Sequence, residues 1–228
     1  MHGIIERLPL WLEGLYVQLT PIDPMQDSPG KIVDVLDVMT HAKHRGFAVI
    51  AGRLAGLGVL LRALGVNAAD AGLGDGERFN LSSKVRMQNR ATPGKNAIRM
   101  PGGRIYVATL GRSVSKSEWN AMMQVPALRG LLLCPLSCCG LGQSIEAMPS
   151  RGREHSLYSR VEEAKRTPRL GIGSALEHAR QALEQQRSSL TAVANGLAAA
   201  QLPGIPAKFI ENHLSACLRL QANLGSAA

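Results

Sequence analysis

The sequence predicts an α/β fold: a partial or divergent TIM-type β/α barrel over residues 1–168, with a helical extension over residues 169–228. Three observations predict it. Short apolar segments rich in β-formers alternate with helix-period windows. Glycines punctuate the junctions between them. Beyond Pro168 the strand-like segments stop and long helical patterns take over.

The elements follow in order. Residues 15–20, LYVQLT, alternate as a strand, and a proline-rich loop follows it. Residues 30–44 read as a helix, with Ile32, Val33, Leu36, Val38 and Met39 at three- and four-residue spacing and Gly46 as its C′ residue. Residues 47–51 form a short buried strand, 59–64 a short helix ending at Gly65, and 66–71 a third strand. The stretch 72–103 is polar, basic and glycine-rich, too long for an ordinary connection and therefore a candidate functional loop. RIYVATL at 104–110 restores a strand, 116–128 a helix with Ser117 as N-cap, and LLLCPL at 131–136 a buried strand. Helices are expected at 154–166, at 174–202 with a break or kink near Gly196, and at 206–224. Five strands do not close an eight-stranded barrel, so the chain is a half-barrel, pairs with another chain or a second copy of itself, or forms an open doubly wound sheet.

Hydrophobic residues make up 45% of the 228 positions and aromatics only 4%, so the core rests on aliphatic side chains. No apolar run approaches the ~20 residues that span a bilayer, and the N-terminal stretch lacks a signal-peptide pattern. With four cysteines, a reduced, cytoplasmic setting is expected. The net charge is +9, and residues 78–116 carry nine basic side chains and no acidic one. They are Arg78, Lys84, Arg86, Arg90, Lys95, Arg99, Arg104, Arg112 and Lys116. Clustered cations attract phosphate through counterion release, so tRNA or DNA is the expected partner and Arg78 to Arg99 the expected contacts. A solvated basic loop is the competing reading.

Three constellations could carry chemistry. Cys134, Cys138 and Cys139, with His155 downstream, offer the soft thiolate and imidazole donors of a tetrahedral zinc site. Buried, unreactive cysteines are the alternative, and Cys217 on an apolar helix face reads as core. Asp70 stands at the carboxyl end of the third strand, where β/α folds place catalytic groups; it could be a nucleophile or base, or simply cap the next turn. The glycines in AGRLAGLG at 51–58 read first as tight-turn residues, with Arg53 as an anion ligand if a phosphate binds there. His178 and His213, among polar helical neighbours, are expected at the surface.

Taken in order, ALGVNAADA at 63–71, the basic stretch, CPLSCC at 134–139 and REHSLYSR at 153–160 resemble the C-terminal half of the tRNA-guanine transglycosylase family. The resemblance covers residues 45–165. It implies a nucleophilic role for Asp70, a zinc ion on Cys134, Cys138, Cys139 and His155, and exchange of guanine for a 7-deazaguanine base in tRNA or DNA. The family's first half, with its second essential Asp, has no counterpart here, and its arginine motif reads AGLGDGERFN. The resemblance therefore implies a divergent member, a fragment, or one subunit of a split enzyme. A non-catalytic basic nucleic-acid-binding or assembly subunit is the alternative, and an unrelated barrel enzyme acting on a phosphorylated metabolite is a third.

Overall fold

The computed structural model describes residues 2–9, 11–18, 27–52, 54, 57–70, 104–132, 134, 148–166 and 170–225. The first 70 residues follow the expected β/α rhythm. Strands β1 (Gly14–Val17), β2 (Ala48–Gly52) and β3 (Ala68–Asp70) form a parallel sheet in that order. The register pairs Tyr16 with Ile50 and Ile50 with Ala68, and ends with Gly52 opposite Asp70. Helix α1 (His2–Ile5) packs on α2 (Pro29–His44), which connects β1 to β2, and α3 (Gly58–Ala63) connects β2 to β3.

Local chemistry fixes α2. The Ser28 hydroxyl accepts the Lys31 N–H at 3.4 Å, and Pro29, with no N–H to satisfy, takes the first turn. Ile32, Val35, Leu36, Met39 and Ala42 then recur on one buried stripe. Gly46, at φ +88°, turns the chain out of the helix in a conformation that side chains with a Cβ disfavour, and Gly65, at φ +71°, does so after α3. Burial of Leu36 and Met39 is worth about 1.5–3 kcal/mol each.

Among the described residues, helices cover one face of the sheet. Val49 and Ala51 are buried on the α2 side, whereas Tyr16 and Ile50, neighbours on the opposite face, are 54% and 41% exposed. The fold is thus mixed α/β with a small parallel sheet, and the described strands form no closed barrel.

The expected strand at 104–110 exists but joins a different sheet. β4 (Ile105–Val107) is followed by a 3-10 turn, Ala108–Leu110, and by β5 (Arg112–Val114), which pairs back antiparallel. The expected strand at 131–136 is overturned where it is described: the 3-10 turn Pro126–Leu128 runs into a helical turn, α5 (Arg129–Leu132). A short apolar run has no period long enough to separate strand from helix. Between them lies α4 (Lys116–Met123), capped by Ser115 rather than Ser117. The Ser115 hydroxyl accepts the Glu118 N–H, and the Glu118 carboxylate accepts the Ser115 N–H at 2.6 Å, a reciprocal box that only Ser115 can make.

Helix α6 (Met148–Arg166) begins earlier than expected and packs on β4. Helix α7 (Ile172–Ala199) continues through Gly196, where no break occurs. A Cβ there would lie 3.0–3.1 Å from the Leu128 side chain, so this glycine serves close packing on the 3-10 turn. Helix α8 (Lys208–Gly225) runs antiparallel to α7: the Cys217 thiol donates to the Leu176 carbonyl at 3.4 Å, and the Gln221 amide to Glu177. α7 packs on α3 and α8 on α2, and their buried residues belong to the same core as Leu36 and Leu61. Cys217 is buried as expected, and burial pushes its thiol up to about 11. His213 is not at the surface: it is 1% exposed and sits edge-on to Phe209, because the apolar stripe of α8 passes through it. Among the described residues no helix is long and apolar enough to cross a membrane.

Candidate functional site

Parallel β/α architecture places strand carboxyl ends and the following helix starts on one side of the sheet, and that side is where such folds bind and react. Here it gathers Gly52, the start of α3 at Gly58, and Asp70. By register, position 70 falls on the same face of the sheet as Gly52, Ile50 and Tyr16. Tyr16 lies across Gly52: a Cβ on Gly52 would come within 2.7 Å of the Tyr16 hydroxyl. The glycine in AGRLAGLG therefore has a definite role, letting a tyrosine lie beside the strand end that carries Asp70.

The expected contacts Arg78, Lys84, Arg86, Arg90, Lys95 and Arg99 lie outside the described residues, as does Arg53. Of the nine basic residues, three are described, and two of them serve the fold. Arg104 donates to the Ser113 carbonyl at 3.0 Å. Arg112 is 5% exposed, ion-paired with Glu118 at 3.2 Å, bonded to the Pro206 carbonyl at 2.5 Å and set over the Phe209 ring. It ties the β4–β5 hairpin to the start of α8 and is not a surface cation. Lys116 is exposed at the head of α4.

Of the four expected zinc ligands, Cys138 and Cys139 lie outside the described residues, and Cys134 is half-buried. Among the described residues no three metal-binding side chains cluster. His155, 7% exposed on α6, has its Nε2 2.8 Å from the Tyr106 carbonyl. A carbonyl can only accept, so Nε2 donates, and in the neutral ring the lone pair is then on Nδ1. Burial lowers the pKa of this imidazole and favours the neutral form, outweighing the Tyr106 carbonyl, which pulls the other way. Metal-binding histidines commonly hold the nitrogen that does not bind the metal by such a bond to a backbone carbonyl.

A second cluster, which the sequence does not announce, surrounds Tyr106 of β4. Its ring is buried, and its hydroxyl donates to Glu163 Oε1 at 2.6 Å. The Arg160 guanidinium lies 3.9 Å from the ring centroid, a cation–π stack. Burial, more than its charged neighbours, pushes the Tyr106 phenol well above its ordinary value, so it stays neutral. Arg62 of α3 reaches the same region, and its buried Nε has no hydrogen-bond partner among the described residues. Desolvation lowers its pKa; Glu163 counteracts this, and Arg160 adds to it. The one sequence signal for the cluster is an arginine inside the apolar run VLLRAL.

No family model, curated protein or solved structure matches the chain.

Proposed function

We propose that the chain takes part in base exchange on a nucleic acid, replacing guanine by a 7-deazaguanine base in tRNA or DNA. In this reading its β/α units are part of a TIM-type barrel completed by another chain or a second copy. The observation that carries it is the place of Asp70 at the carboxyl end of β3, in register with Gly52 and on the face that carries Tyr16 and Ile50. Parallel sheets are ordinarily covered on both faces, and the exposed Tyr16 and Ile50 leave one face for further strands to close over.

The Asp70 carboxylate attacks the anomeric carbon of the target nucleotide. The glycosidic bond breaks, and guanine leaves with the electron pair and takes up a proton. The incoming base then loses its proton and attacks the same carbon, and the ester to Asp70 breaks, restoring the carboxylate. A single carboxylate acting as nucleophile supplies no proton to the leaving base, so the acid comes from the completing chain. The target base has to leave its stack to reach the strand end. Phosphate contacts from Arg78, Lys84, Arg86, Arg90, Lys95 and Arg99 would give affinity without sequence preference. Cys134, Cys138, Cys139 and His155 would hold a zinc ion that fixes the segment between them.

The test is guanine release from labelled tRNA and DNA by the chain together with its co-purifying partners. Parent protein should form a covalent adduct and exchange the base, and Asp70→Asn should bind nucleic acid and do neither. Exchange that survives Asp70→Asn overturns the assignment. The open sheet also favours a second reading, a non-catalytic basic nucleic-acid-binding or assembly subunit, and the absence of exchange from the complete assembly would establish it.

A further inference from the structure

Helix α6 has one face against β4 and another turned outward. Gly152, His155, Ser156 and Ser159 are buried on the first, where Gly152 closes on the Arg104 carbonyl and His155 on that of Tyr106. Beyond the first turn, the exposed positions among the described side chains are Glu154, Leu157, Tyr158, Val161 and Lys165. Steps of three and four residues place all five on one stripe of the helix. The outward stripe of a surface helix is ordinarily charged or polar. Here its middle is apolar: Leu157, Tyr158 and Val161 are 52%, 51% and 42% exposed. Single exposed apolar residues need no explanation, but adjoining ones rimmed by charge mark an interaction surface.

The charges at its two ends are opposite. Glu154 stands at the amino end of the stripe and Lys165 three turns on, about 16 Å along the axis. The stripe is therefore complementary to itself. Two copies of α6 laid antiparallel bring Glu154 of each against Lys165 of the other, twice over. The same register sets Tyr158 against Val161 on both sides of the two-fold axis, with Leu157 beside them. A parallel arrangement would set like charge against like. Glu154 is already paired with Arg151 at 3.0 Å, and Lys165 with Glu162 at 2.8 Å. These are exposed pairs within one helix and contribute little. A carboxylate accepts from more than one donor and an ammonium carries three, so neither pair has to break.

We propose that a second copy of this chain docks on the outward stripe of α6, forming a symmetric antiparallel α6–α6 contact. The inference does not rest on the base-exchange reading. Two helices meeting along three turns bury less than the roughly 1,200–2,000 Å² of a stable complex, so the dimer forms at high concentration and dissociates on dilution. The net charge of +9 opposes association at long range, and salt at about 0.15 M screens it beyond about 8 Å.

Sedimentation velocity of the full chain tests the proposal, at that salt and from low to high micromolar concentration. The parent should sediment as a monomer when dilute and as a dimer when concentrated. Lys165→Glu sets carboxylate against carboxylate at both ends of the contact, and Glu154→Lys sets ammonium against ammonium; each should weaken the dimer at least tenfold. The double variant carrying both changes restores the opposite pairing and should dimerise as the parent does. Val161→Glu puts a charge into the apolar middle and should remain monomeric. All these positions are exposed, and far-UV circular dichroism checks that each variant is folded. A parent that is monomeric at every concentration overturns the inference and leaves the stripe to a different protein. A dimer of parent strength in Val161→Glu or in Lys165→Glu also overturns it, because the contact then lies elsewhere. So does a double variant no stronger than the single ones, since the antiparallel register requires the rescue.

Discussion

Replacing Gly152 by Ala should destabilise the protein, although the same change inside a helix ordinarily does the opposite. Gly152 is in the second turn of α6, where the helix presses on β4. A Cβ there would lie 2.9 Å from the Arg104 carbonyl oxygen and 3.4 Å from the Ile105 side chain. The first contact is with backbone, which cannot swing aside, so the helix has to withdraw. Withdrawal stretches the 2.8 Å bond from His155 to the Tyr106 carbonyl one turn on, and the 2.6 Å bond from Tyr106 to Glu163 beyond it. Ala gains about 1 kcal/mol over Gly in helix propensity. Overpacking costs about 1–3 kcal/mol, and weakening two buried hydrogen bonds adds about 1 kcal/mol or more. The net is a loss of about 1–3 kcal/mol, a fall in Tm of about 2–12 °C for a chain of this size. Gly173→Ala is the control: nothing lies within 4 Å of its Cβ position, near the start of α7, so it should be neutral or mildly stabilising. Urea and thermal melts followed by far-UV circular dichroism compare the two. If Gly152→Ala is as stable as the parent, the tight approach of α6 to β4 does not exist, and the account of His155 and Tyr106 built on it falls.

Other outcomes follow from the same residues. Burial holds the folded-state pKa of His155 below the ordinary 6.5, so the unfolded chain takes up the proton first as pH falls. Stability should therefore decline as pH drops through about 6.5 toward the lowered value, and His155→Gln should flatten that limb in metal-free protein; an unchanged slope would show that His155 is not its source. Elemental analysis of protein never exposed to chelator should find one zinc per chain, and His155→Ala should lose it together with thermal stability; a fully folded, metal-free parent ends the zinc reading. The triple substitution of Arg86, Arg90 and Arg99 by Ala should weaken tRNA and DNA binding and reduce the slope of affinity against salt by about 2–3. Unchanged affinity would make the basic stretch a solvated surface.

Much of the first 70 residues was legible in the sequence because what decides it is local. The apolar stripe of α2 recurs within a few residues, Ser28 and Pro29 are adjacent, and Gly46 and Gly65 supply conformations that other residues resist. The end of β3 at Asp70 follows from the same kind of signal, a short apolar run after a helix-ending glycine. The apolar run at 131–136 suits either a strand or a helix, and where it is described, at Leu131 and Leu132, it is helical. His213 and Arg112 were misjudged for a related reason: a polar side chain in a polar-looking sequence is buried when packing of distant elements surrounds it, as α8 and the hairpin do here. The cluster of Arg62, Tyr106, His155, Arg160 and Glu163 lay furthest from view. Its members come from α3, β4 and α6, about a hundred residues apart at the extremes, and no spacing rule links them. Sequence determines the periods and turns that each segment prefers. Which charges are buried together, and which donors are left without a partner, is decided only when the helices close on the strands and exclude water.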